Sequence, residues 1–124
     1  MIVDDDALLT SALSRAAGEV GLATVVVLDS SRMLDLCVAE HPDLILLDIN
    51  MPSFDGRDVL KALKKDPRTK NIPVFIHSAR TSHHDRISSF ELGADEYIEK
   101  PFNANLLFRR VVHAIDKARA QLTR

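Results

Sequence analysis

The stretch Leu44-Ile45-Leu46-Leu47-Asp48-Ile49-Asn50-Met51-Pro52 constrains this chain more than any other. Aliphatic residues run straight into an aspartate, and a turn-prone Asn-Met-Pro follows. A continuous apolar run of this length, bounded by turn signals, fits a strand buried on both faces, as in parallel sheets. Asp48 then stands at the strand's carboxyl end, where open α/β sheets place their ligand sites. A carboxylate there either caps a strand or carries chemistry, and the strand alone does not decide between them.

The rest of the chain reads outward from this strand. Met1-Ile2-Val3 is a short strand, clipped at its start, that ends in Asp4-Asp5-Asp6. Leu9, Leu13, Ala16, Ala17 and Val20 recur at helical steps, which predicts a helix over 7–20 with Asp6 as N-cap and Gly21 at its end. Val25-Val26-Val27, within 23–28, is a β-branched run and the second strand. Ser30 or Ser31 can cap a second helix that reaches Glu40 and stops at His41-Pro42. Past the central strand, Asp55-Gly56 leads into a helix of Val59, Leu60 and Leu63, closed by Asp66-Pro67. Pro73-Val74-Phe75-Ile76-His77 is a fourth strand ending at Ser78, and residues 83–92 are a helix stopped by Gly93. Glu96-Tyr97-Ile98-Glu99 is a fifth strand ending at Lys100-Pro101. Leu107, Val111, Ile115, Ala118 and Leu122 make the stripe of a last amphipathic helix.

Strands alternating with helices in this way imply parallel pairing, right-handed crossovers and a three-layer α/β sandwich. A five-strand chain suits the flavodoxin-like doubly wound order 2-1-3-4-5. No G-x-G-x-x-G or G-x-x-x-x-G-K turn follows the first strand, which argues against dinucleotide and nucleoside-triphosphate cradles.

At 124 residues the expectation is a single domain over 1–124. A net charge of −2 favours neither nucleic acid nor a membrane as partner. Charge is uneven, however: residues 1–60 hold 11 acidic and 3 basic side chains, residues 61–124 hold 7 and 13. Either the last helix is simply basic, or the first half concentrates acid at a cation site. The single cysteine, Cys37, excludes an intramolecular disulfide, and its neighbours Met33, Leu34, Leu36 and Val38 predict a small buried hydrophobe. No signal-peptide pattern precedes the first charges, and no apolar run approaches the roughly 20 residues of a membrane span. A cytoplasmic location is therefore expected.

In the order 2-1-3-4-5, strands 1, 3, 4 and 5 end close together. They carry Asp4 and Asp5, Asp48, Ser78 and Lys100 to one edge. Carboxylates held within a few ångströms disfavour joint ionisation, which protonation or a cation can relieve. Lys100 supplies one fixed positive charge, and a hard divalent cation with oxygen ligands, Mg²⁺ by preference or Mn²⁺, suits the remainder. The backbone carbonyl of Asn50 could add an oxygen. One carboxylate can then act as a nucleophile toward a phosphoryl group.

Val3-Asp4-Asp5-Asp6, Leu47-Asp48-Ile49-Asn50-Met51-Pro52, Asp55-Gly56, Ser78-Ala79, Gly93-Ala94-Asp95 and Tyr97-Ile98-Glu99-Lys100-Pro101-Phe102 fall in one order and spacing. Together they resemble the CheY-like receiver domain of two-component response regulators, over essentially the whole chain. The resemblance implies that Asp48 accepts phosphate from the phosphohistidine of a sensor histidine kinase or a histidine phosphotransfer domain. It implies that Asp4, Asp5, Asp48 and the Asn50 carbonyl hold Mg²⁺. Lys100 would pair with the phosphoryl group across a cis Lys100-Pro101 bond, Ser78 would be the switch hydroxyl, and Tyr97 the aromatic that moves inward. Switching would act on the face of helix 4, strand 5 and helix 5, toward a downstream effector or output domain. Such a protein is a signalling phosphoacceptor that catalyses only its own phosphorylation and dephosphorylation.

Other residues read more plainly. Asp6 is a helix cap, His83-His84 start a solvated helix, and His77 and His113 are structural or surface groups. Arg80 stands two residues beyond Ser78, where the resemblance implies tuning of phosphate lifetime: it is either an exposed loop arginine or a group that could shield an acyl phosphate from water. Glu96 and Arg110 could pair across a homodimer on the helix 4–strand 5–helix 5 face, although Leu106 stands where such dimers carry a glutamate. Two other functions compete: a receiver-like interaction module independent of phosphorylation, and a phosphatase-like hydrolase. The hydrolase lacks the second acid it needs, since Asn50 occupies that position.

Overall fold

The computed structural model describes residues 1–51, 55–79 and 83–122. Pro52, Arg80 and the side chains of Ser30, His83 and Leu122, all singled out above, lie outside them. Five parallel strands are β1 (Ile2–Val3), β2 (Val26–Val27), β3 (Ile45–Asp48), β4 (Val74–Ser78) and β5 (Glu96–Glu99). Between and after them run α1 (Ala7–Glu19), α2 (Met33–Glu40), α3 (Gly56–Lys65), α4 (His83–Glu91) and α5 (Ala104–Leu122). The sheet order is β2-β1-β3-β4-β5, the doubly wound order expected from the alternation.

Burial on both faces is what makes β3 the axis of the sheet. Ile45 and Leu47 point into one core with Met33 and Cys37 of α2 and Val59, Leu60 and Leu63 of α3. Leu44 and Leu46 point into the other, with Leu13 and Ala17 of α1 and Leu107, Phe108, Val111 and Ile115 of α5. Each such aliphatic side chain contributes about 1.5–3 kcal/mol when fully removed from water. The period of two then leaves Asp48 as the last residue of the strand, paired in register with His77.

Several local signals act as the sequence implies. Asp6 caps α1, accepting the Leu9 N–H at 3.0 Å. Asp55 caps α3 through the Arg57 N–H at 2.9 Å. Gly93 ends α4 at φ +107°, a conformation L side chains rarely adopt. Cys37 is fully buried.

Other expectations need correction. Paired β2 covers only Val26–Val27, because it is an edge strand with Val26 exposed. Val20 is exposed too and does not extend the α1 stripe. The cap position of α2 falls on neither serine. A 3₁₀ turn over Ser30–Arg32 comes first, opened by Asp29 accepting the Ser31 N–H at 3.0 Å, and Arg32 holds the cap position without a side-chain bond. Among the described residues, no helix is long and apolar enough to cross a membrane.

Candidate functional site

The carboxyl ends of β1, β3, β4 and β5 converge. Asp4, Asp5 and Asp48 each offer a carboxylate oxygen within 4.8 Å of the others. Asp4 and Asp48 are buried while Asp5 is exposed, so the cluster opens to solvent on the Asp5 side. Lys100, just past β5, reaches in from the other side: its Nζ lies 2.8 Å from Asp4 Oδ2 and 3.4 Å from Asp48 Oδ2. The Lys100-Pro101 peptide bond is cis.

Backbone donors fix the carboxylates. The Asp6 N–H donates to Asp4 Oδ1 at 2.9 Å, and the Asn50 N–H to Asp48 Oδ1 at 2.9 Å. Ser78, fully buried at the end of β4, meets the Asn50 side chain, whose Nδ2 lies 2.6 Å from Ser78 Oγ. Tyr97 is buried in β5, its ring 5.2 Å beneath the Arg86 guanidinium, and Arg86 also pairs with Glu99 at 2.8 Å. Behind Asp48, Gly56 opens α3 so close to the strand that a Cβ there would lie 2.4 Å from Ile49 Cα. No larger residue fits without moving the backbone that carries Asp48.

The electrostatics separate the two buried acids. Burial works to raise Asp4, but the Lys100 hydrogen bond, the Asp6 N–H and the nearby His77 and Lys100 outweigh it and hold the carboxyl below the ordinary range. At Asp48 burial wins: it raises the carboxyl against the pull of the Asn50 N–H and of Lys100, with Asp4 adding to the rise. Burial opposes the charge on Lys100, yet its bond to Asp4 and the Asp48 charge hold its pKa above the usual lysine value. One ammonium thus faces three carboxylates. A set of hard oxygen donors carrying excess negative charge, open to water on one side, fits a divalent cation such as Mg²⁺ or Mn²⁺.

A profile of the response regulator receiver domain matches residues 1–112. The chain belongs to the response regulator receiver family. The receiver is 42% identical over 111 residues to the transcriptional regulatory protein CpxR of Escherichia coli strain K12, a match covering 90% of this chain and 46% of that protein. It is 38% identical over 111 residues to the transcriptional regulatory protein PrrA of Mycobacterium tuberculosis, covering 90% and 47%. The chain therefore spans about half the length of the curated relatives it matches. Among solved structures, the receiver domain of Francisella response regulator 1452 aligns with a TM-score of 0.86 at 33% identity, over 94% of each chain. A CheY-like receiver from Methanospirillum hungatei shares the fold, with a TM-score of 0.89 at 23% identity over 97% of this chain and 94% of that one.

The receiver's sequence singled out Asp4, Asp5, Asp48, Asn50, Ser78, Tyr97 and Lys100. The first five and Lys100 gather at one edge, while Tyr97 lies further down β5 beside Arg86. His77 is a residue whose closeness to the site that reading missed. It is fully buried, its Nδ1 is 3.7 Å from Asp4 Oδ2, and its ring meets Phe102 edge-on. Burial, with the Lys100 charge next, pushes it down to about 4, so the imidazole is neutral near pH 7. The signal was present: a central strand buried on both faces buries a histidine as surely as a valine.

Proposed function

We propose that this receiver is the phosphoacceptor of a two-component system and that Asp48 is the residue phosphorylated. The observation that carries the reading is the state of Asp48. It ends the central strand, lies 3.4 Å from a lysine ammonium, and burial raises its pKa. A carboxylate that water stabilises poorly is the better nucleophile, and the lysine compensates the charge that develops on the incoming group.

An Asp48 oxygen attacks the phosphorus of a phosphohistidine, the P–N bond breaks, and the histidine leaves with the bonding pair. Asp4, Asp5, Asp48 and the Asn50 carbonyl would hold Mg²⁺ or Mn²⁺, which when bound neutralises negative charge on the carboxylates and the phosphoryl oxygens. Lys100 keeps its bond to Asp4 and pairs with a phosphoryl oxygen. Ser78 exchanges Asn50 for another phosphoryl oxygen, and this exchange biases α4, β5 and Tyr97 toward a second arrangement. The donor is a sensor histidine kinase or a histidine phosphotransfer domain. Since relatives twice as long are named transcriptional regulators, the receiving partner is an output domain or effector.

Acetyl phosphate with Mg²⁺ should add one phosphoryl mass to the wild type and none to Asp48→Asn, and chelation should abolish the gain. A wild type that gains nothing, while binding a partner regardless, would favour the phosphate-independent interaction module instead.

A further inference from the structure

Arg57 sits in the first turn of α3, next to the glycine packed on the Asp48–Ile49 backbone. Its guanidinium reaches across to α4, placing Nη2 2.6 Å from Asp85 Oδ1, with the side chains only 24% and 12% exposed. The Asp55 carboxylate that caps α3 lies 4.0 Å from Arg57 Nε, and this buried Nε has no hydrogen-bond partner among the described residues. A largely buried ion pair with an unsatisfied donor is a poor way to gain stability alone. Its geometry points to another use.

In chain order α3 comes after β3, which ends at Asp48, and α4 after β4, which ends at Ser78. Two ties join these strand ends and the helices that follow. Asn50 Nδ2 to Ser78 Oγ, at 2.6 Å, joins them at the site, and Arg57 to Asp85 joins the helices they lead into. The next residue of α4, Arg86, is held from the opposite flank by Glu99 at 2.8 Å and by the Tyr97 ring. The first turn of α4 is therefore anchored to α3 on one side and to β5 on the other.

We propose that Arg57 is a positioning residue for the phosphoryl-accepting site. Through Asp85 it holds α4, and with it the Ser78 hydroxyl, in the resting place on Asn50. It thereby sets how readily the site passes to the arrangement in which Ser78 faces a phosphoryl group on Asp48. The inference rests on the reading of Asp48 above. A contact present in one arrangement and absent from the other shifts the equilibrium by its own free energy, whichever group breaks it.

Arg57→Met keeps the aliphatic stem, and Asp85→Asn keeps the shape of the acid. In wild type, beryllofluoride with Mg²⁺ defines a line of amide chemical shifts over 83–91 and 96–99, from resting to activated. Each single variant, without beryllofluoride, should lie part-way along that line and take phosphate from acetyl phosphate roughly ten-fold faster, as loss of one charged hydrogen bond implies. The double variant should go no further than either single one, and Arg57→Lys should return most of the way to wild type. If wild type responds while both variants stay at its resting shifts, or if the two single effects add, the inference falls alone. If wild type itself does not respond to beryllofluoride, the reading of Asp48 falls and takes the inference with it.

Discussion

Lys100 divides its charge unequally, 2.8 Å from Asp4 and 3.4 Å from Asp48, and the two carboxyls move in opposite directions from the ordinary range. The acid closer to the ammonium stays ionised as a fixed counter-charge, and the one left more to burial is the group proposed above as the phosphoryl acceptor. His77 offers a test of how dry this corner is. Its folded pKa of about 4 lies below the ordinary histidine value of 6.5, so the unfolded chain takes the proton first as pH falls. The stability owed to the neutral buried imidazole is complete above pH 6.5 and is lost as pH falls toward 4. Urea titrations should show wild type losing more stability than His77→Leu between those limits; parallel profiles would contradict the burial argument. At Gly56 the constraint is steric. Gly56→Ala must displace the Ile49 backbone 2.4 Å away, and should cost about 1–3 kcal/mol in urea unfolding. Asp4, Asp5 and Asp48 were legible because each stands at the end of an apolar run, and Lys100 because it follows the short strand Glu96–Glu99. His77 was harder, because a polar residue in a strand reads first as a surface group.

Elements were legible where a strong local signal marks them. The apolar run of β3, the Asp6 cap of α1 and the Gly93 stop of α4 each carry their reason within a few residues. Asp6→Ala should cost about 1 kcal/mol in the same unfolding assay, with the phosphoryl acceptor unchanged, because its side chain serves the Leu9 N–H. The start of α2 was misread because two serines are generic capping candidates, whereas Asp29 opens a 3₁₀ turn ahead of them. The tie between α3 and α4 was invisible. Arg57 and Asp85 are 28 residues apart and meet only because β3 and β4 are adjacent in the sheet. Sequence spacing shows what shares a helix face, and the sheet order decides which helices face one another.

At the scale of the whole molecule, alternation of strand and helix together with the count of five strands pointed to the order β2-β1-β3-β4-β5, and that order brings three acids and a lysine to one edge. The excess acid of the first half is partly this cluster, since Asp4, Asp5 and Asp48 all lie within residues 1–60. Cation binding should then be visible as stability. Magnesium at a hundred-fold excess over its dissociation constant should add about 2.7 kcal/mol, and Asp5→Asn should remove most of that gain. The dimer expected on the α4–β5–α5 face has a competitor within the chain, because Arg110 already stands 4.0 Å from Glu96 of the same molecule. Light scattering with and without beryllofluoride decides between them: an unchanged mass keeps the pair within one chain, and a clean doubling would show that it is released to a second copy. The most direct test of the central claim traps the phosphorylated residue itself. After acetyl phosphate and Mg²⁺, borohydride reduces an aspartyl phosphate to homoserine, which peptide mass spectrometry can place. The prediction is homoserine at position 48 and nowhere else. Homoserine at position 4 or 5, or none at all in a folded, magnesium-loaded protein, would contradict it.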